Sequence, residues 1–242
     1  MKNNNKEIVT NTEKVNTNAE KEEKNLQIGD IISKTELFIE KNKKTLIIIV
    51  AAIVVVVAAF CLYRFWYMPS QEKKAENEMF TAEQYFLQND YTKALKGDGK
   101  HPGLITISED YSSTRHGKLA KYYLGIIYLE QGKYQQAIDE FEGVKPQDEF
   151  LPSQVKALIG DCYWELNNVD KAISYYNDAV KEKSNNFTTP VILMKLGAAY
   201  EVKKDFKKAL DCYNQIKKDF PTSPEYREIE KYISRMEGLL SK

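Results

Sequence analysis

Three stretches of the chain decide the fold: KLAKYYLGIIYLEQGKYQQAIDEFEGV from Lys118, SQVKALIGDCYWELNNVDKAISYYNDA from Ser153, and PVILMKLGAAYEVKKDFKKALDCYNQI from Pro190. In each, an apolar residue precedes a glycine (Leu124-Gly125, Ile159-Gly160, Leu196-Gly197) and a tyrosine follows three residues later (Tyr128, Tyr163, Tyr200). Nine residues on stands an alanine (Ala137, Ala172, Ala209), and four beyond it an aromatic (Phe141, Tyr176, Tyr213). The glycines recur at offsets of 35 and 37 residues. A generic helical bundle has no reason to repeat glycine and alanine in register, whereas units that stack on one another do. Turn residues at Gln131-Gly132-Lys133, Asn167-Asn168 and Lys204-Asp205 cut each stretch into two helical patterns. Glycine and alanine are expected to let the two helices approach, with the tyrosine and the later aromatic filling space between successive units.

These residues resemble the tetratricopeptide repeat, a unit of two antiparallel helices about 34 residues long. The resemblance implies an all-α solenoid of helical hairpins over 75–221. An earlier unit matches less well: Ala82, Tyr85, the turn Asn89-Asp90-Tyr91 and Ala94 follow the template, then Gly97-Asp98-Gly99 and Pro102-Gly103 break its second helix. A new apolar pattern, Leu104, Ile105, Ile107 and Tyr111, follows, and we read the whole as a degenerate first repeat carrying an insertion over 96–117, a loop and a short helix. Pro190 is placed to open a helix behind Thr188 and Thr189 as caps. Pro221 stands at the family's closing proline position. Ser223-Pro224-Glu225 opens a last helix with Tyr226, Ile229, Tyr232, Ile233 and Met236, read as a cap over 222–242.

Upstream lies LIIIVAAIVVVVAAFCLY, residues 46–63, without a charge, glycine or proline. Eighteen residues at ~1.5 Å rise reach about 27 Å, close to the ~30 Å hydrocarbon core of a bilayer. Phe65, Trp66 and Tyr67 follow as an interfacial belt, so 46–67 reads as one transmembrane helix. Lys41, Lys43 and Lys44 abut its start against Arg64, Lys73 and Lys74 beyond its end. That bias puts the N-terminus in the cytoplasm and the repeats in the periplasm, on a single-pass inner-membrane protein. Residues 1–27, rich in Asn, Lys, Glu and Thr, read as a disordered leader. Residues 28–45 read as a juxtamembrane helix and 68–74 as a linker.

The 242 residues balance 35 Lys and Arg against 35 Asp and Glu, which argues against a nucleic-acid partner. Three cysteines are too few for a disulfide scaffold; Cys162 and Cys212 are expected as free thiols packed like small hydrophobes. No metalloprotease, serine-hydrolase, phosphate-loop or dinucleotide motif occurs. His101 and His116, within the insertion, read as solvated loop residues. The expectation is therefore a non-enzyme without cofactor or metal.

A repeat array offers a concave face lined by the first helix of each pair. The family's groove positions carry over to Met79, Glu83 and Phe86, then to Leu119, Tyr122, Ile126 and Leu129. They continue through Ala157, Asp161, Trp164 and Glu165 to Val191, Met194, Ala198 and Glu201. Tyr122 and Trp164 would anchor a peptide, since aromatic side chains dominate such contacts. Leu119, Tyr122, Tyr123 and Ile126 stand where carboxylate-clamping repeats present Lys, Asn and Arg, so an apolar or extended polypeptide is the better ligand.

The order of leader, span and periplasmic repeats resembles the ancillary subunits of the bacterial Sec translocon. That resemblance implies a membrane-tethered helper of protein export or envelope-protein folding, with exported polypeptides and translocon subunits as partners. The alternative is a structural scaffold in a stable envelope complex. An imperfect first repeat leaves an exposed end suited to pairing with a second copy.

Overall fold

The computed structural model describes residues 39–144, 151–182 and 184–241. The leader and the first part of the juxtamembrane segment lie outside them. The chain divides into two compact parts, Met1–Trp66 and Tyr67–Lys242. The described residues of the first part are helical: α1 (residues 39–62) runs into a π-helical turn, Tyr63–Tyr67. From residue 47 onward its Ile, Val and Phe side chains are exposed on every side, and no charged residue interrupts them. Among the described residues this is the one helix, Ile39–Leu87, long and apolar enough to cross a membrane.

The second part opens with α2 (Met68–Leu87). The linker expected over 68–74 is thus helical. Pro69 falls in the first turn, where its missing N–H costs nothing, and the polar run behind it consists mostly of good helix formers. There follow α3 (Tyr91–Lys96), α4 (Leu104–Asp110), α5 (Arg115–Glu130), α6 (Tyr134–Gly143), α7 (Leu151–Glu165), α8 (Val169–Lys181), α9 (Thr189–Val202) and α10 (Phe206–Asp219). A 3-10 turn, Glu225–Arg227, precedes α11 (Ile229–Leu240). No strand occurs among the described residues.

The hairpins α2–α3, α5–α6, α7–α8 and α9–α10 share one turn. Each passes through a left-handed residue, Asn89, Gly132, Asn167 or Lys204, with φ of 59, 71, 57 and 58°. The next residue caps the second helix: the side chains of Asp90, Asn168 and Asp205 accept from the backbone N–H of Lys93, Lys171 and Lys208. Lys133 has no acceptor to offer and makes no such bond.

The glycines explain the close packing. A Cβ on Gly125, Gly160 or Gly197 would lie 2.5, 2.6 or 2.5 Å from the ring of Phe141, Tyr176 or Tyr213. The later aromatic therefore crosses the first helix of its own repeat, rather than only filling the gap to the next. The four alanines Ala94, Ala137, Ala172 and Ala209, each on the second helix of its hairpin, are fully buried. Successive repeats are tied by polar pairs at a near-constant separation. Tyr175 donates to Glu142 at 3.2 Å, Lys195 to Asp161 at 2.6 Å, and Arg235 to Glu201 at 2.5 Å. The last pair shows α11 occupying the place of a further first helix. Its Ile229, Ile233 and Met236 are buried with the apolar stack, and helix begins only at Ile229.

The insertion holds a loop and a short helix, α4, as read from its apolar pattern. Asp98 accepts from the N–H of Lys100 (2.8 Å) and His101 (2.7 Å) and from the Tyr85 hydroxyl (3.0 Å). This knuckle returns the chain so that α4 buries Leu104 and Ile107 against Met79, Ala82, Leu124 and Ile127. Each such buried aliphatic contributes about 1.5–3 kcal/mol. His116 is not a loop residue: it sits in the first turn of α5, with Nδ1 2.6 Å from Glu72 of α2. Thr188 does not cap α9 either. Asn185 does the local work, its side-chain oxygen accepting from the N–H of Phe187 and Thr188.

Candidate functional site

The first helices α5, α7 and α9 lay their outward faces side by side, and two hollows open between them. One, of about 240 Å³, is walled by Tyr122, Ala157, Leu158, Phe187, Val191 and Ile192, with Gln154 and Thr188 at its edge. The other, of about 220 Å³, lies among Trp164, Tyr176 and Ala198. Asp161 and Lys195 belong to both, forming a polar bar between two apolar sockets.

Of the expected groove residues, Tyr122, Ala157, Asp161, Trp164, Val191 and Ala198 line these hollows. Ile126, Leu129 and Met194 are half-buried and pack onto the core behind them. Glu165 is exposed and accepts from the Tyr134 hydroxyl at 3.3 Å. Glu201 is taken up internally: the Tyr213 hydroxyl donates to it at 2.6 Å and Arg235 holds both its oxygens. Met79 does not face a groove. It is about as buried as any residue of the molecule, at 1% exposure, because α4 covers the face where an ordinary repeat would stay open. Phe86 packs edge-on against Tyr123, ring centres 4.8 Å apart.

The sequence reading missed Lys195, Leu158 and Phe187. Phe187 is 84% exposed at the rim of the larger hollow. It lies between repeats, outside the positions a motif compares; its signal was the Asn-Asn-Phe-Thr-Thr-Pro run, a turn presenting an unprotected aromatic.

The electrostatics favour a passive surface. Asp161 accepts from the Tyr176 hydroxyl (2.8 Å) and from Lys195, so its charge is answered. Burial, reinforced by the charge of Asp161, pushes the Tyr176 hydroxyl far above the ordinary phenol range, and burial with Glu201 does the same at Tyr213. Both tyrosines remain donors. Burial raises the thiols of Cys162 and Cys212 to about 12, so they behave as the inert small hydrophobes expected of them.

A tetratricopeptide repeat-like domain model matches residues 77–201, just over half of the chain, and a tetratricopeptide repeat model matches 192–223. The chain belongs to the tetratricopeptide repeat-like family. An uncharacterized protein ycf37 of Guillardia theta is 29% identical over 119 residues, covering 48% of this chain and 65% of the relative. Protein O-mannosyl-transferase TMTC2 of Homo sapiens is 27% identical over 96 residues, 37% of this chain but only 12% of its own length. The tetratricopeptide array thus spans less than two thirds of these relatives. Among solved structures it is similar to the first TPR of Spaghetti (RPAP3) bound to HSP90 peptide SRMEEVD, with 20% identity and a TM-score of 0.43. That match covers 53% of this chain and 96% of that one.

Proposed function

We propose that this chain is a membrane-tethered, non-catalytic module that grips extended polypeptides and assists protein export or envelope-protein folding beside the Sec translocon. In this reading the span over 46–67 anchors it in the inner membrane, the N-terminus faces the cytoplasm and the repeats face the periplasm. The observation that carries the reading is the pair of apolar sockets across α5, α7 and α9. An extended chain directs alternate side chains to one side about 6–7 Å apart, a spacing that suits two neighbouring sockets with a polar bar between them. Lys195 and Lys156 are already paired, with Asp161 and Glu182, which supports an apolar ligand over a carboxylate clamp. Tethering raises the local concentration of such a groove near emerging chains, so weak contacts suffice.

A photoreactive group replacing Phe187 in cells should trap secretory polypeptides or translocon subunits, and the adducts should vanish when protein synthesis is inhibited. Recovery of neither would overturn the reading. Adducts to one fixed protein that persist without synthesis would favour the scaffold alternative, for which the internally neutralised Asp161 and Glu201 already provide a rigid, largely apolar face. Topology is best read by labelling Phe187→Cys with an impermeant reagent, because Cys162 is buried and poorly ionised.

A further inference from the structure

We propose that the turn joining α4 to α5 is a membrane-surface site, where Arg115 together with Lys73 and Lys74 of α2 binds the phosphate groups of anionic lipids. The inference rests on the reading of 46–67 as the span and goes beyond it. Met68 follows Tyr67 directly, with no spacer, and α2 rises ~1.5 Å per residue, so Glu72 stands about 7 Å past Tyr67. The headgroup layer of one leaflet is about 5–7 Å deep. Whichever way α2 leaves the span, its first turn is therefore within reach of that layer.

The α4–α5 turn is fastened at this level. The Ser113 hydroxyl lies 3.8 Å from the Met68 sulfur. The N–H groups of Arg115 and His116 donate to the Glu72 carboxylate at 2.8 and 3.2 Å, and the His116 ring meets it at 2.6 Å. Glu72 thus fills the anion position at the start of α5, where the N–H groups and the helix start offset part of its charge. Arg115, Lys73 and Lys74 stay exposed. The nearby acids lie further out. Glu76 is one turn along, and Tyr111, beside Glu109 and Asp110, bonds Glu78 at 3.1 Å, about 15 Å past Met68.

The test uses the full chain in nanodiscs of phosphatidylcholine, with or without phosphatidylglycerol. A fluorophore on Ser113→Cys, in a Cys61→Ala background, should be strongly quenched by headgroup nitroxide lipids. Phosphatidylglycerol retained on the protein, counted by native mass spectrometry, should fall about fivefold for each charge lost in Arg115→Gln, Lys73→Gln and Lys74→Gln. No quenching at 113, or retention unchanged in the triple variant, would overturn the proposal. If carbonate releases the chain from native membranes, the span reading itself fails. If the chain stays embedded while position 113 is unquenched, only this inference does.

Discussion

The first repeat and the three that follow solve one packing problem in two ways. In the later repeats a glycine on the first helix receives a ring sixteen residues on: Gly125 with Phe141, Gly160 with Tyr176, Gly197 with Tyr213. In the first repeat the same register pairs Ala82 with Asp98. Without a ring to admit, the first helix keeps a methyl group. Asp98, instead of extending the second helix, turns the chain back on itself, and α4 supplies Leu104 and Ile107 where the aromatic would have packed. Glycine in this family fold is thus a response to the ring and not a requirement of the hairpin.

The largest expected effect follows from that contrast. Tyr213→Ala should destabilise the array by about 3–5 kcal/mol, since the ring is fully buried between α9 and its neighbours. Gly160→Ala should cost about 1–3 kcal/mol, because the new methyl meets the Tyr176 ring rather than a flexible chain end. Ala82→Gly should cost less, about 1–1.5 kcal/mol, from backbone entropy and the loss of one buried methyl. Urea midpoints of the detergent-solubilised chain, followed by circular dichroism, rank the three. Combining Gly160→Ala with Tyr176→Leu should cost less than the sum of the two changes, as coupled neighbours do. Equal losses at Gly160 and Ala82 would break the comparison.

The same contrast marks what the sequence could convey. Glycine, tyrosine, alanine and ring recur because each has a fixed neighbour inside its own repeat, so spacing alone revealed hairpins, turns and the closing helix. The role of α4 was not legible: its partners Met79 and Ala82 lie on another element, and nothing local to Leu104 or Ile107 announces them. For the same reason Met79 read as a groove residue. The groove itself was half legible. Motif positions found Tyr122, Asp161 and Trp164. They could not show that Lys195 and Arg235, each 34 residues downstream, had already claimed Asp161 and Glu201, and Phe187 belongs to no repeat position at all.

A smaller effect separates the second repeat from the others. In the first, third and fourth, the residue eight beyond the glycine register caps the second helix and the residue eleven beyond is a lysine over the repeat's tyrosine: Lys93 on Tyr85, Lys171 on Tyr163, Lys208 on Tyr200. In the second repeat the lysine has moved to the cap position itself. Lys133 lies 5.6 Å from the Tyr128 ring, and Gln136 stands where lysine would be. A cation–ring contact worth about 0.5–1 kcal/mol has replaced a cap worth about 1. Lys133→Asp alone should therefore change stability little, while Lys133→Asp with Gln136→Lys should gain about 1 kcal/mol. Asn168→Ala in the third repeat should lose about 0.5–2 kcal/mol. Midpoint shifts check all three, and a double variant no better than the single one would refute the account.

The finest distinction is acid sensitivity, which the knuckle of the first repeat should show more than α7 and α8. The N–H groups of His101 and Lys100, with help from the Tyr85 hydroxyl, hold the Asp98 carboxyl down to about 2, from an ordinary 3.8. At Glu72 burial works upward, but the N–H of Arg115 and the groups of His116 outweigh it and hold that carboxyl below its usual range too. A carboxylate lowered in the folded state stabilises fully above its unfolded value and loses that contribution as pH falls through the folded one. Between about pH 4 and 2 the amides of Lys100 and His101 should therefore lose hydrogen-exchange protection. The amide of Lys171, bonded to the uncharged Asn168 side chain, should keep its own. Asp98→Asn retains the acceptor oxygen but removes the charge, so protection at Lys100 and His101 should drop already at neutral pH and then stay flat on acidification. Parallel loss at Lys171 and Lys100 in the unaltered chain would show that acid opens the array as one block, and that Asp98 does not set the weak point.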